Sequence, residues 1–206
     1  MELYKEWGYT KSDFLCSTLY ILSILEKLLS SQNTRILDVG CGNGSIANYL
    51  ISKGFEVYGI DASVQGIEIA NRINPGKFFI QDLDSDGLPA ELASIKFDTI
   101  ISTEVIEHLY APRKFVSFCK NILLKNGGGE LILSTPYNGY FKNILISLAD
   151  KWDHHLNPLW DGGHIKYWSR ASLTQLLIEQ DFKIVDFKGA GRMPYLWKSM
   201  IIKAKI

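Results

Sequence analysis

The chain has 206 residues, 47% of them apolar and 21% charged, and its 22 basic and 22 acidic side chains cancel to a net charge of zero. That length supports a single domain with its own core, and the composition excludes a disordered or collagen-like chain. A neutral chain lacks the broad basic surface that nucleic acid requires, so nucleic acid is not an expected partner.

Three scattered cysteines, Cys16, Cys41 and Cys119, form no CxxC pair. Neither a disulfide framework nor a zinc site is expected. The start, MELYKEWGYT, lacks the basic and apolar blocks of a secretory signal. The longest mostly apolar stretch, 14–25, is shorter than the about 20 residues that cross a bilayer. The expectation is a reduced, cytoplasmic protein that does not insert into membranes; its oligomeric state is unreadable.

In chain order, apolar spacing predicts a helix over 12–30, starting at Ser12 or Asp13. Residues 34–39 are a strand that runs into GCGNG, and 45–53 a helix stopped by Gly54. A strand at 55–60 ends at Asp61, and a helix at 63–73 stops at Asn74-Pro75-Gly76. A strand at 77–81 leads into the polar loop Asp82-Leu83-Asp84. A fourth strand lies at 97–102. The helix at 112–125 has Pro112 in its first turn. After Gly127-Gly128-Gly129 comes a fifth strand, 130–135.

Residues 136–168 break this rhythm. They carry three of the four histidines and three tryptophans, the mark of a functional loop or substrate cap. A helix at 169–180, a strand at 182–188, a turn with Gly189 and Gly191, and a strand near 198–205 complete the chain. Alternating strands and helices predict βαβ units and a parallel sheet. The continuous apolar strands predict helices on both faces. A short turn joining the last two strands makes that pair antiparallel. The fold class is therefore α/β, one domain over 1–206, with an N-terminal helical lid (1–33, including Trp7 and Tyr9) and a cap (136–168).

The strongest chemical signal is ILDVGCGNGS, residues 36–45. A strand delivers the chain into a turn with Gly40, Gly42 and Gly44, at the carboxyl end of a strand, where open α/β sheets bind ligands. A nicotinamide fingerprint wants GxGxxG, whereas this turn is GxGxG with Asp38 just before it. An acid there suits a cationic ligand such as S-adenosylmethionine, which carries an ammonium and a sulfonium. Asp61 fits a carboxylate accepting two ribose hydroxyls. Asp82 fits an acceptor for the adenine amino group, with Leu83 packed on the ring.

With the acid at Asp61, QDLD and FDTIISTEVIEHL, this motif resembles the class I S-adenosylmethionine-dependent methyltransferases over residues 34–206. EVIEHL is similar to the ubiquinone-biosynthesis O-methyltransferase group. The resemblance implies a Rossmann-like doubly wound sheet of seven strands, mostly parallel, with the last strand antiparallel beside the fifth. It implies S-adenosylmethionine as cofactor and S-adenosylhomocysteine as product. Gly40, Cys41 and Gly42 would line the methionine portion, with Cys41 a small filler rather than a nucleophile. Asp38 would sit near the amino group, directly or through water. Asp61 would hold the ribose with Ala62 beside the adenine, Asp82 and Leu83 the adenine, and Thr103 and Glu104 would border the reactive methyl.

If residues 104–109 are helical, Glu104 and His108 share a face, four residues apart. His108 or His164 is then the candidate base that takes a proton from a hydroxyl acceptor. The cap residues Trp152, His154, His155, Trp160, His164, Tyr167 and Trp168 would wall an acceptor pocket. The expected partner is a small-molecule acceptor, methylated at oxygen. Glu104, Glu107, His108 and His164 also resemble the divalent-ion site of the small-RNA 3′-end 2′-O-methyltransferases. A divalent metal on these residues is the less favoured reading, and a binding protein that holds the cofactor without turnover is a further alternative.

Overall fold

The computed structural model describes residues 8–14, 18–29, 35–83 and 87–206. Trp7, Cys16 and Asp84, each named above, lie outside the described residues. The elements in chain order are α1 (Thr18–Leu28), β1 (Arg35–Val39), α2 (Ser45–Ser52), β2 (Glu56–Asp61), α3 (Val64–Ile73), β3 (Phe78–Ile80), β4 (Thr99–Thr103), a 3₁₀ turn (Ile106–His108), α4 (Pro112–Leu124), β5 (Glu130–Pro136), α5 (Tyr140–Leu148), α6 (Trp152–Leu156), α7 (Arg170–Glu179), β6 (Lys183–Ala190) and β7 (Ser199–Lys205). Among the described residues no helix is long and apolar enough to cross a membrane.

The seven strands form one sheet in the order β3-β2-β1-β4-β5-β7-β6. β1 to β5 pair with one another in parallel, and β7 is antiparallel to both β5 and β6. The expected seven-stranded doubly wound sheet is therefore present. The order reverses at β1 and β4, and a crevice opens at their carboxyl ends.

The two-residue period of the strands sorts the apolar side chains into two cores. Ile36, Ile101, Ile132 and Ile201 pack on one face with α1, α2 and α3. Leu37, Ile100, Leu131, Leu133 and Ile202 pack on the other with α4 and α7. Adjacent residues thus serve opposite faces, which is why the central strands read as unbroken apolar runs. Local chemistry sets the helix starts. The Ser63 hydroxyl accepts the Gly66 N–H at the start of α3, Pro112 opens α4, and Ser169 forms a capping box with Ser172 at α7. Lys203, almost fully buried in β7, donates to the Leu28 carbonyl (2.8 Å) and pairs with Glu130 (2.9 Å). This cation pins the end of α1 to the sheet.

Two boundaries differ from the sequence expectation. Among the described residues the first helix spans Thr18–Leu28, and residues 12–14 are not helical. Asn43 takes their place in setting the backbone: its side-chain amide donates to the carbonyls of Lys11 (2.8 Å) and Asp13 (3.0 Å). That segment is drawn toward the glycine turn instead of coiling. The last two strands are joined by residues 191–198 rather than a tight turn, because β6 runs on through Gly189, against which Trp197 packs.

Candidate active site

The turn after β1 is shaped by backbone hydrogen bonds. Gly40 and Cys41 both donate to the Ile60 carbonyl (2.8 and 3.1 Å), which holds the turn against β2. Gly40 and Gly42 have φ of 79° and 53°, a region that disfavours side chains. Space forbids a side chain as well. A Cβ on Gly40 would lie 2.5 Å from Val105, and one on Gly42 would lie 2.5 Å from the Tyr9 hydroxyl. The N-terminal segment therefore closes over the turn through Tyr9 and Asn43.

Asp38, Gly40, Cys41, Gly42, Asp61, Ala62, Asp82, Leu83, Thr103 and Glu104 all line one cleft of about 1320 Å³, together with His108 and His164. Asp61 accepts the Gly42 N–H and the Ser63 N–H (2.8 Å each) through its two different oxygens. Its carboxylate therefore orients the loop and retains lone pairs for another donor. Gln81 N–H bonds the Asp61 carbonyl (2.8 Å), which brings Asp82 beside it. Asp38 is buried, and its Oδ1 has no partner among the described residues. Burial and the nearby Asp61 charge push its carboxyl up to about 8. A buried carboxyl oxygen without a donor, beside a glycine turn, is fitted to receive an ammonium group. The Cys41 thiol is buried against Gly59, and desolvation raises its pKa well above the usual value. It is chemically quiet, as a filler would be.

Past β4 the chain turns sharply. Glu104 has φ of 56°, and residues 106–108 form only one 3₁₀ turn. Glu104 and His108 therefore do not share a helical face, contrary to the expectation from their spacing. Glu104 instead accepts from Ser134 (2.8 Å) and Ser199 (3.0 Å), and burial raises its carboxyl to about 7.

Glu107, buried, takes the place beside the histidines. Its Oε2 accepts the Thr135 hydroxyl (2.9 Å), while Oε1 has no hydrogen-bond partner among the described residues. Oε1 lies 4.0 Å from Nε2 of His108 and 4.0 Å from Nε2 of His164. The Glu107 backbone carbonyl accepts the N–H groups of Ile165 and Lys166 (2.9 and 3.0 Å), which delivers His164 to this point. His108 Nδ1 faces the carbonyls of Gly162 and Gly163 (3.0 and 3.2 Å). A carbonyl can only accept, so Nδ1 carries the proton and Nε2 presents a lone pair to Glu107. Desolvation lowers both histidines, His164 to about 4 with the help of His108 and His155, and raises Glu107. Three ligand atoms, one each from Glu107, His108 and His164, lie within 4.8 Å of one another and can hold a metal ion. Glu104 does not join this group.

Of the cap residues, His155, Trp160, His164 and Tyr167 line the cleft. Trp152, His154 and Trp168 do not: the Trp152 indole donates to Ser147 (2.9 Å), and Trp168 packs on the core. The sequence reading missed Lys142, Trp197 and Lys198 on the wall of the cleft, and Ser134, Thr135 and Ser199 behind its carboxylates. For the serines and threonine, the available signal was their polarity at the ends of otherwise apolar strands.

A methyltransferase-domain family model matches residues 16–186. The chain is 32% identical over 160 residues to a ubiquinone biosynthesis O-methyltransferase of Dinoroseobacter shibae, covering 75% of this chain and 62% of that protein. It is 26% identical over 197 residues to an uncharacterized methyltransferase of Bacillus mycoides, covering 90% of each. The fold is similar to magnesium protoporphyrin IX methyltransferase from Synechocystis PCC 6803, solved with bound S-adenosylhomocysteine. That likeness has a TM-score of 0.65 and 21% identity, over 97% of this chain and 90% of the other. With its glycine turn, its ordered acids and its strand order, the chain belongs to the S-adenosylmethionine-dependent methyltransferase family.

Proposed function

We propose that the protein methylates a hydroxyl oxygen of a small-molecule acceptor. One observation carries the reading: the Nε2 atoms of His108 and His164 each lie 4.0 Å from the buried Glu107 Oε1, on the wall of the cleft. Such a group of acceptors takes up positive charge, which is what a hydroxyl must shed to become a nucleophile. The ubiquinone biosynthesis name of the Dinoroseobacter relative supports oxygen as the methylated atom.

S-adenosylmethionine supplies a methyl carbon on a sulfonium, already activated for in-line displacement. The chain's work is to position the two reactants and remove the acceptor proton. Asp38 receives the amino group of the cofactor, and Gly40, Cys41 and Gly42 leave room for its methionine portion. Asp61 holds the ribose, with Ala62 beside the adenine, and Asp82 and Leu83 hold that ring. Thr103 and Glu104 border the methyl. His108 or His164 accepts the hydroxyl proton, with Glu107 stabilising the imidazolium.

A second reading of the same three residues rests on the histidine tautomer. His108 turns a lone pair inward because its other nitrogen donates to backbone carbonyls, the usual arrangement behind a metal-ligating imidazole. Glu107, His108 and His164 would then hold a divalent ion, whose charge lowers the pKa of a bound hydroxyl.

The test is methyl transfer from labelled S-adenosylmethionine to a panel of catechols and sugars, their amine and thiol analogues, and a short RNA with a free 3′ end. Label on the oxygen of a small molecule supports the reading. Label on nitrogen, sulfur or RNA alone overturns it. Loss with EDTA and recovery with Mg²⁺ or Mn²⁺ assigns the divalent ion, and indifference to EDTA assigns proton transfer to histidine.

A further inference from the structure

The wall of the cleft that faces the acceptor carries a positive pair that the proposed chemistry does not use. Lys142, in the first turn of α5, and Lys198, just before β7, both line the cleft, with Trp197 beside them. Both are anchored to one stretch of backbone. Tyr137 N–H donates to the Lys198 carbonyl (3.1 Å), and Lys142 Nζ donates to the Tyr137 carbonyl (2.8 Å). The next residue, Ser199, reaches Glu104 (3.0 Å), so the pair stands over the carboxyl ends of β4 and β5. The two charges bear on each other and on Glu104.

Glu104 does not neutralise them. It is one carboxylate facing two ammonium groups, and each of its oxygens already accepts a serine hydroxyl. Lys142 makes a single hydrogen bond, to a neutral carbonyl, and Lys198 has no ion-pair partner among the described residues. Lys142 is half-buried and Lys198 is exposed, and ammonium groups that line a cleft with donors to spare are a site for an anion.

We infer that Lys142 and Lys198 form an anion subsite for the acceptor, whose substrate class is a hydroxyl compound bearing a carboxylate or phosphate group. This rests on the O-methylation reading for the placement of the hydroxyl and deepens it. The hydroxyl faces Glu107, His108 and His164, the anionic group faces the two lysines, and Trp197 and Trp160 supply flat apolar walls between.

The test is calorimetric titration of the protein loaded with S-adenosylhomocysteine, using matched probes. One pair is 3,4-dihydroxybenzoate and 3,4-dihydroxybenzyl alcohol; the other is glucose 6-phosphate and glucose. The anion of at least one pair should bind about tenfold or more tighter than its neutral partner, as a charge-assisted contact provides. Lys142→Met and Lys198→Met should each erode that preference, and Lys142→Arg should retain it, with S-adenosylhomocysteine affinity unchanged in all three as the check on folding. The pair that shows the preference distinguishes carboxylate from phosphate. Equal affinity within both pairs, or no binding of any probe, overturns the subsite. So does a preference that both methionine variants keep. Methylation of the same probes is scored separately. Anion preference without label on oxygen sinks the O-methylation reading and spares the subsite, and label on oxygen without anion preference does the reverse.

Discussion

Asp38→Asn separates the two consequences of burying a carboxyl beside the glycine turn. With no cofactor bound, Asp38 is raised from 3.8 to about 8 by desolvation and by Asp61. The folded protein therefore keeps a proton that the unfolded chain has already released. Its stabilising contribution is whole below about pH 4 and is lost as pH rises toward about 8, with a ceiling on the order of several kcal/mol. The asparagine variant lacks this titration. Its melting temperature should fall less between pH 5 and pH 8.5 than that of the wild type.

Binding shows the opposite effect. An ionised Asp38 facing the cofactor ammonium contributes about 1.5–3 kcal/mol as a charge-assisted contact, so Asp38→Asn should weaken S-adenosylhomocysteine roughly 10- to 150-fold. Ionisation on binding expels the proton. Titration calorimetry of the wild type at pH 7 should then show a heat that depends on the buffer's ionisation enthalpy, and the variant should lose that dependence. Equal affinity in the two proteins, with equal buffer dependence, would refute the assignment of Asp38 to the amino group.

Gly42→Val places a side chain where the Tyr9 hydroxyl lies and at a φ of 53°. It should cost about 1–3 kcal/mol of stability and at least tenfold in S-adenosylhomocysteine affinity, and unchanged calorimetric affinity would show that Tyr9 does not pack on the turn. Lys203→Met removes the ion pair with Glu130 and unties Leu28 from the sheet. Chemical denaturation should report a loss of about 3 kcal/mol, and a loss below about 1 kcal/mol would show the pair to be screened by water. Phe115→Ala empties a buried ring site on α4 and should cost about 3–5 kcal/mol by the same measurement; a cost near zero would mean the core collapses into the space.

The sheet was legible because its signals are local. Apolar runs, glycine stops and Pro112 mark elements within a few residues, and the parallel order follows from their alternation. The cofactor side of the cleft was legible for the same reason: Asp38, Asp61 and Asp82 each follow a strand, and strand ends gather at one edge of a parallel sheet. The acceptor side was not. Glu104 lies at a left-handed φ, which no spacing rule reveals, so Glu107 rather than Glu104 meets the histidines. His164 is delivered by backbone bonds from Glu107 to residues 165 and 166, a contact more than fifty positions away in sequence. Asn43 holds Lys11 and Asp13 by a side-chain amide, and that long-range tie overrode the helical spacing at residues 12–14. Lys142 and Lys198 come together only through the pairing of β5 with β7.

Glu107→Gln keeps the shape of the side chain and replaces its carboxyl with an amide that cannot ionise. The measurement is turnover on the best hydroxyl acceptor of the panel, with S-adenosylhomocysteine affinity taken on the same preparation. Turnover should fall at least about 100-fold while cofactor affinity stays as in the wild type. Turnover close to that of the wild type would contradict this expectation, and the cluster of Glu107, His108 and His164 would then have no part in activating the acceptor.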